Sequence, residues 1–172
     1  MSPCCLGASV CVCSRGECDG WEQEVMIKNV GDATDLLLLL KDLGGPIIAA
    51  HIEGGLSPPA DPTQVATTPC AVSLFSVCGA FEGDGITKIE LPQNEQHVAV
   101  AGTQGAVTNE DGEPRGKVCI AGGRLWLGSG VDGPTDDLLR CHQWVEKKKL
   151  PANRKSVGKK IDSEYASLCG AE

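Results

Sequence analysis

The chain has 172 residues, of which 41% are apolar and 22% charged, and its formal net charge is −8. That length suits one ordinary domain, and that composition excludes wholesale disorder, collagen-like repeats and coiled coils. The longest leucine run covers only residues 36–40, far short of the roughly eighteen apolar residues of a membrane-spanning helix, so no such helix is expected.

The charge is unevenly spread. Residues 1–139 hold 19 acidic and 7 basic side chains, or −12, whereas residues 140–172 hold 8 basic and 4 acidic, or +4. The main body should repel nucleic acid and anionic membranes, and the C-terminal end alone should attract them. With three Trp, two Phe and one Tyr, the core must be filled by Leu, Val, Ile, Ala and Cys. The first thirteen residues are fairly apolar, but they carry four cysteines and no basic start, which suits a secretory signal poorly. A cytoplasmic or nuclear location is expected, with secretion as the alternative.

In chain order, Trp21, Gln23, Val25 and Ile27 alternate with Glu22, Glu24, Met26 and Lys28, which predicts a half-buried strand. Asp32 and Asp35 then look like the start of a helix through residues 36–40, closed by Lys41, Gly44, Gly45 and Pro46. A strand is the other reading of that leucine run; Leu propensity favours the helix. Residues 46–52 fit an interior strand, and 54–69, rich in Gly, Pro, Ser, Thr and Asp, read as a loop.

Between 70 and 127 strands alternate with turns. Glu82-Gly83-Asp84-Gly85 separates 71–81 from 86–91, and Asn109-Glu110-Asp111-Gly112 separates 98–107 from 117–121. Such turns tolerate the left-handed backbone of tight hairpins. A further strand follows Gly122-Gly123 at 124–127. Thr135 and Asp136 suggest a cap for a helix carrying Leu138, Cys141, His142 and Val145 on one face, and Val157, Ile161, Tyr165 and Leu168 a final helix.

The expected architecture is therefore α+β: an antiparallel sheet of four or five strands with one N-terminal and two C-terminal helices, a mainly β barrel being the alternative. The expected divisions are a Cys-rich arm (1–20), a globular domain (21–146), and a basic segment with its helix (147–172).

Three groups of residues invite chemistry. Cys4, Cys5, Cys11, Cys13 and Cys18 could supply thiolates to zinc, although the second Cys-x-x-Cys knuckle or paired His of a structural site is missing; acylation or a plain flexible arm are the other readings. A cysteine nucleophile needs a nearby histidine, and His51 with Cys70 or Cys78 is the best pairing, while Cys141 and His142 are adjacent and would diverge on a helix. The glycine stretches lack the spacing of phosphate loops, and the acidic turns lack that of EF-hands.

Residues 49–51 (Ala-Ala-His), 84–91 (Asp-Gly-Ile-Thr-Lys-Ile-Glu-Leu) and 119–123 (Cys-Ile-Ala-Gly-Gly) resemble, in order, landmarks of the trypsin-like serine proteases. The resemblance implies a double β-barrel with His51 as base and Asp84 as its orienting carboxylate. No Gly-Asp-Ser-Gly-Gly is present, so it implies a truncated, inactive relative.

The third group is Lys147, Lys148, Lys149, Arg154, Lys155, Lys159 and Lys160, which suit an acidic protein, another polyanion or a nuclear address. No aromatic residue lies among them to stack bases, so sequence-specific nucleic-acid reading is not expected. The expected function is a non-enzymatic binding or scaffolding module, with a small hydrolase-like domain, Cys-His or protease-derived, as the alternative.

Overall fold

The computed structural model describes residues 20–41, 47–78, 85–146 and 165–167. These form one helix, α1 (Gln23–Val30), and a succession of strands: β1 (Leu36–Lys41), β2 (Ile47–Ile52), β3 (Val65–Pro69), β4 (Val72–Cys78), β5 (Thr87–Ile89), β6 (His97–Ala101), β7 (Val107–Thr108), β8 (Pro114–Gly116), β9 (Val118–Ile120), β10 (Leu125–Leu127), β11 (Ser129–Gly130), β12 (Gly133–Pro134), β13 (Cys141–Glu146) and β14 (Tyr165–Ser167).

Two open antiparallel sheets carry the fold. One has the order β1-β2-β4-β5 and the other β14-β13-β10-β9-β6-β3; β7-β8 and β11-β12 are short ribbons. Alternation along each strand sends one set of side chains to a shared interior. The first sheet contributes Ile48, Ala50, Ile52, Val72, Leu74 and Ile89, and the second Val98, Val100, Val118, Ile120, Leu125 and Leu127, all in one buried cluster. The opposite face of the six-stranded sheet has a smaller cluster of Ala99, Ala101, Val107, Cys119 and Trp126.

The loop ahead of β6 ties the sheets together. Arg124 donates from Nε to Glu95 Oε2 at 2.7 Å and from its terminal nitrogen to Oε1, a two-pronged ion pair with both side chains nearly buried. This pins the loop to the β9–β10 turn, where Ala121 and Gly122 both adopt left-handed φ values of 55° and 58°. Beside Glu95, Gln96 accepts from Cys70 N through its carbonyl and from Val72 N through Oε1, fixing the point where the chain passes from β3 in one sheet to β4 in the other.

The α+β expectation is overturned, and so is the barrel, since neither sheet closes. The segment expected as an N-terminal strand is α1. Buried Gln23 and the core-packed Met26, Ile27 and Val30 are spaced i, i+3, i+4, i+7, with Val25 half-buried beside them, and the polar Gln23 within that stripe disguised it as alternation. Gly31 ends the helix, donating to Ile27 O at 2.9 Å.

The segment expected as the N-terminal helix is β1. It pairs with β2 from Leu36↔Ile52 to Lys41↔Ile47, and its leucines alternate between half-buried and exposed. Asp35, read as a helix-start residue, instead takes φ 53° and turns the chain into the strand. Pairing with the neighbouring strand outweighs the weak helix preference of Leu.

The sheet expected at 70–127 exists as strands but is divided, with β4 and β5 in one sheet and β6, β9 and β10 in the other. Within the expected 54–69 loop lies β3, paired along its length with β6. The Asn109 turn forms as read, Gly112 donating to Asn109 O at 3.0 Å, but it joins β7 to β8.

The first expected C-terminal helix is replaced by a turn and β13. Asp137 N donates to Thr135 Oγ1 and Leu139 N to Asp137 Oδ1, so Thr135, expected as a cap, serves a turn together with Asp137. Cys141 and Gln143 share the inward face opposite Leu127 and Leu125, and the polar Gln143 hid the alternation. Of the final expected helix, residues 165–167 are strand β14 and the rest lies outside the described residues.

Gln143 is fully buried, and among the described residues neither its amide oxygen nor its nitrogen has a hydrogen-bond partner. A desolvated amide without partners costs about 1–3 kcal/mol. The near-isosteric Gln143→Met should therefore raise unfolding stability by about 1 kcal/mol in a urea titration; a loss of stability would show that the amide is satisfied in solution.

Candidate functional site

His51 lies on the outer face of the four-stranded sheet, because Ala50 and Ile52 on either side of it point into the core. Its strand neighbours are Leu37 on β1 and Ser73 on β4. Its Nε2 lies 3.9 Å from Asp35 Oδ1, a loose contact in which the carboxylate is 77% exposed. Water screens such a pair strongly.

The cysteines considered with His51 lie elsewhere. Cys70 packs against the shared core, on the opposite side of the sheet from the His51 side chain. Its Sγ would lie 3.1 Å from a Cβ placed on Gly54, so a glycine there makes room for the thiol. Cys78 is exposed at the end of β4, opposite Ile47 and five residues beyond Ser73, which places it about 17 Å along the strand from His51. The structure thus brings His51 to Asp35 and Ser73, and to neither cysteine. Asp84, the five cysteines at 4–18, and the basic residues at 147–160 lie outside the described residues.

Among the described residues, no group of three or more His, Cys, Asp or Glu is arranged to hold a metal ion. His142, on β13, has its imidazole pKa lowered by burial and, secondarily, by the positive charge of Arg115; hydrogen bonding to the Ser129 backbone opposes both.

One concavity among the described residues was not legible from motifs. A groove of about 660 Å³ is lined by Trp21, Glu22, Glu24, Thr103, Asp136, Asp137 and Leu139. Backbone bonds between the start of α1 and the turn before β13 build it: Gln23 N to Asp136 O at 3.0 Å, and Leu138 N to Trp21 O at 2.8 Å. Buried Gln23 adds a bond from Nε2 to Ala101 O at 2.7 Å, anchoring the helix to the end of β6. Behind the groove, the nearly buried Lys117 ammonium donates to Thr103 O at 2.8 Å and Gly105 O at 3.0 Å and lies 3.1 Å from Asp136 Oδ1.

Lys117 and Arg140, whose Nε lies 3.8 Å from Asp137 Oδ2, stand against four carboxylates, which leaves the groove negative, so a polyanion is repelled there. Its acidic pairs, Glu22 with Glu24 and Asp136 with Asp137, come from segments over a hundred residues apart. Only the long-range pairing of Glu22 with Asp137 unites them.

Compared with protein-family models, curated proteins and solved structures, the chain matches none. The resemblance to trypsin-like proteases gains no support from these comparisons.

The described thiols differ sharply in environment. Burial pushes the Cys119 thiol up to about 12, with hydrogen bonding to the Gly123 backbone opposing it, whereas Cys78 is exposed. Mass-spectrometric mapping after brief alkylation at mildly alkaline pH should find Cys78 modified and Cys119 protected until denaturant is added. Equal labelling of the two in native protein would contradict the packing of β9.

Proposed function

We propose that the protein is a non-enzymatic binding module that engages an acidic protein or comparable polyanion through residues 147–160. The observation carrying this reading is the segregation of charge: this stretch holds seven Lys and Arg and no Asp or Glu, in a chain of net charge −8. The described body is consistent with it, since the groove beside α1 is acidic and turns polyanions away.

Position adds to the argument. β13 ends at Glu146 and β14 begins at Tyr165, and these two residues are paired partners. The basic residues therefore fall, in sequence, between two strands that pair with each other.

The reading predicts salt-sensitive binding to polyglutamate, measured by fluorescence titration. Replacing Lys147, Lys148, Lys149, Lys159 and Lys160 by Gln should lower the affinity at least tenfold in low salt and flatten its salt dependence. Unchanged affinity across that series would contradict it. Binding carried instead by the acidic body would resist these substitutions and weaken when Glu22, Glu24, Asp136 and Asp137 are neutralised.

A further inference from the structure

From the open edge of the four-stranded sheet, we infer that the chain forms a twofold homodimer by antiparallel pairing of β1 with β1 of a second copy. Among the described residues, no strand pairs with β1 on the side away from β2. Such an edge presents a row of unpaired N–H and C=O groups.

Apart from the terminal Lys41, the usual protections of an edge are missing. Residues 36–41 contain no proline and no inward charge, and their ladder with β2 runs in register without a bulge in β1. The exposed face instead carries Leu37 at 56% and Leu39 at 61% exposure, while Leu36, Leu38 and Leu40 are half-buried against the core. An apolar edge of this kind is a template for another strand.

Charge selects a second copy as that strand, and also its register. Asp35 precedes the five leucines and Lys41 follows them, both exposed. With the twofold axis at Leu38, antiparallel pairing opposes Leu36 to Leu40 and Leu37 to Leu39, and sets Asp35 of each copy against the partner's Lys41. Sliding the register by two residues opposes these charges to Leu or Ala, and sliding it by one turns the leucines to the wrong faces. Each strand supplies the complement of its own ends, as an isologous interface requires. Two four-stranded sheets then become one of eight strands, with the exposed Leu37 and Leu39 packed across the junction.

The test is sedimentation equilibrium of the full chain in a reducing buffer, which removes dimers linked by disulfides. The native chain should be dimeric at micromolar concentration. Asp35→Lys and Lys41→Asp alone should each weaken association about tenfold, since each converts two attractive cross-strand pairs into repulsive ones. Asp35→Lys combined with Lys41→Asp should restore it to within about threefold.

The positive φ of Asp35 makes lysine there strained in monomer and dimer alike, so association still reports the pairing, and circular dichroism confirms the fold of each variant. A monomeric native chain, as when another segment covers the edge, would overturn the inference. So would growth into open-ended oligomers by β1–β5 stacking, a dimer indifferent to both single substitutions, or failure of the double exchange to restore it.

Discussion

The structure depends on two antiparallel sheets sharing one aliphatic interior. Among the described residues neither sheet has a helix layer of its own, and α1 contributes only Met26, Ile27 and Val30 at the margin of the core. Each sheet must therefore bury one face against the other. This forces alternation on nearly every strand: Val98, Val100, Ile120, Val118, Leu125 and Leu127 point inward, while Ala99, Cys119 and Trp126 point to the second, smaller cluster. Aliphatic side chains, with one cysteine, fill this interface.

Facing sheets also need a fixed joint, and the loop around Glu95 and Gln96 supplies it. Gln96 holds the β3-to-β4 crossing, and Glu95 holds the β9–β10 turn through Arg124. An ion pair this buried costs desolvation as well as contributing attraction, so its value is geometric: the forked contact admits one relative placement of loop and turn. The acidic groove arises from a similar economy. The start of α1 is stitched to the turn before β13, and the carboxylates of both segments are left facing one concavity.

Strand content between residues 70 and 127 was legible because turns punctuate it, and the interior strand at β2 was legible as a short apolar run. The division into two sheets was not, since β5 and β6 are separated only by a short loop and a single 3₁₀ turn, with nothing local to assign them to different partners. Leu36 to Leu40 has no period at all, so its state is decided by β2. Gln23 and Gln143 misled in mirror-image ways: each is a buried polar side chain at an inward position, and each breaks the pattern that identifies its element. Of the candidate site, the charge segregation is readable directly, whereas the separation of His51 from Cys70 depends on which face of one sheet each occupies.

Methyl-resolved nuclear Overhauser spectroscopy tests that shared interior most directly. Cross-peaks should join Ile52, Val72 and Leu74 of one sheet to Val98, Ile120 and Leu125 of the other, alongside backbone contacts across Leu38↔Ala50. Helical contacts between residues three apart within 36–41, or two sets of methyls with no cross-peaks between them, would contradict it.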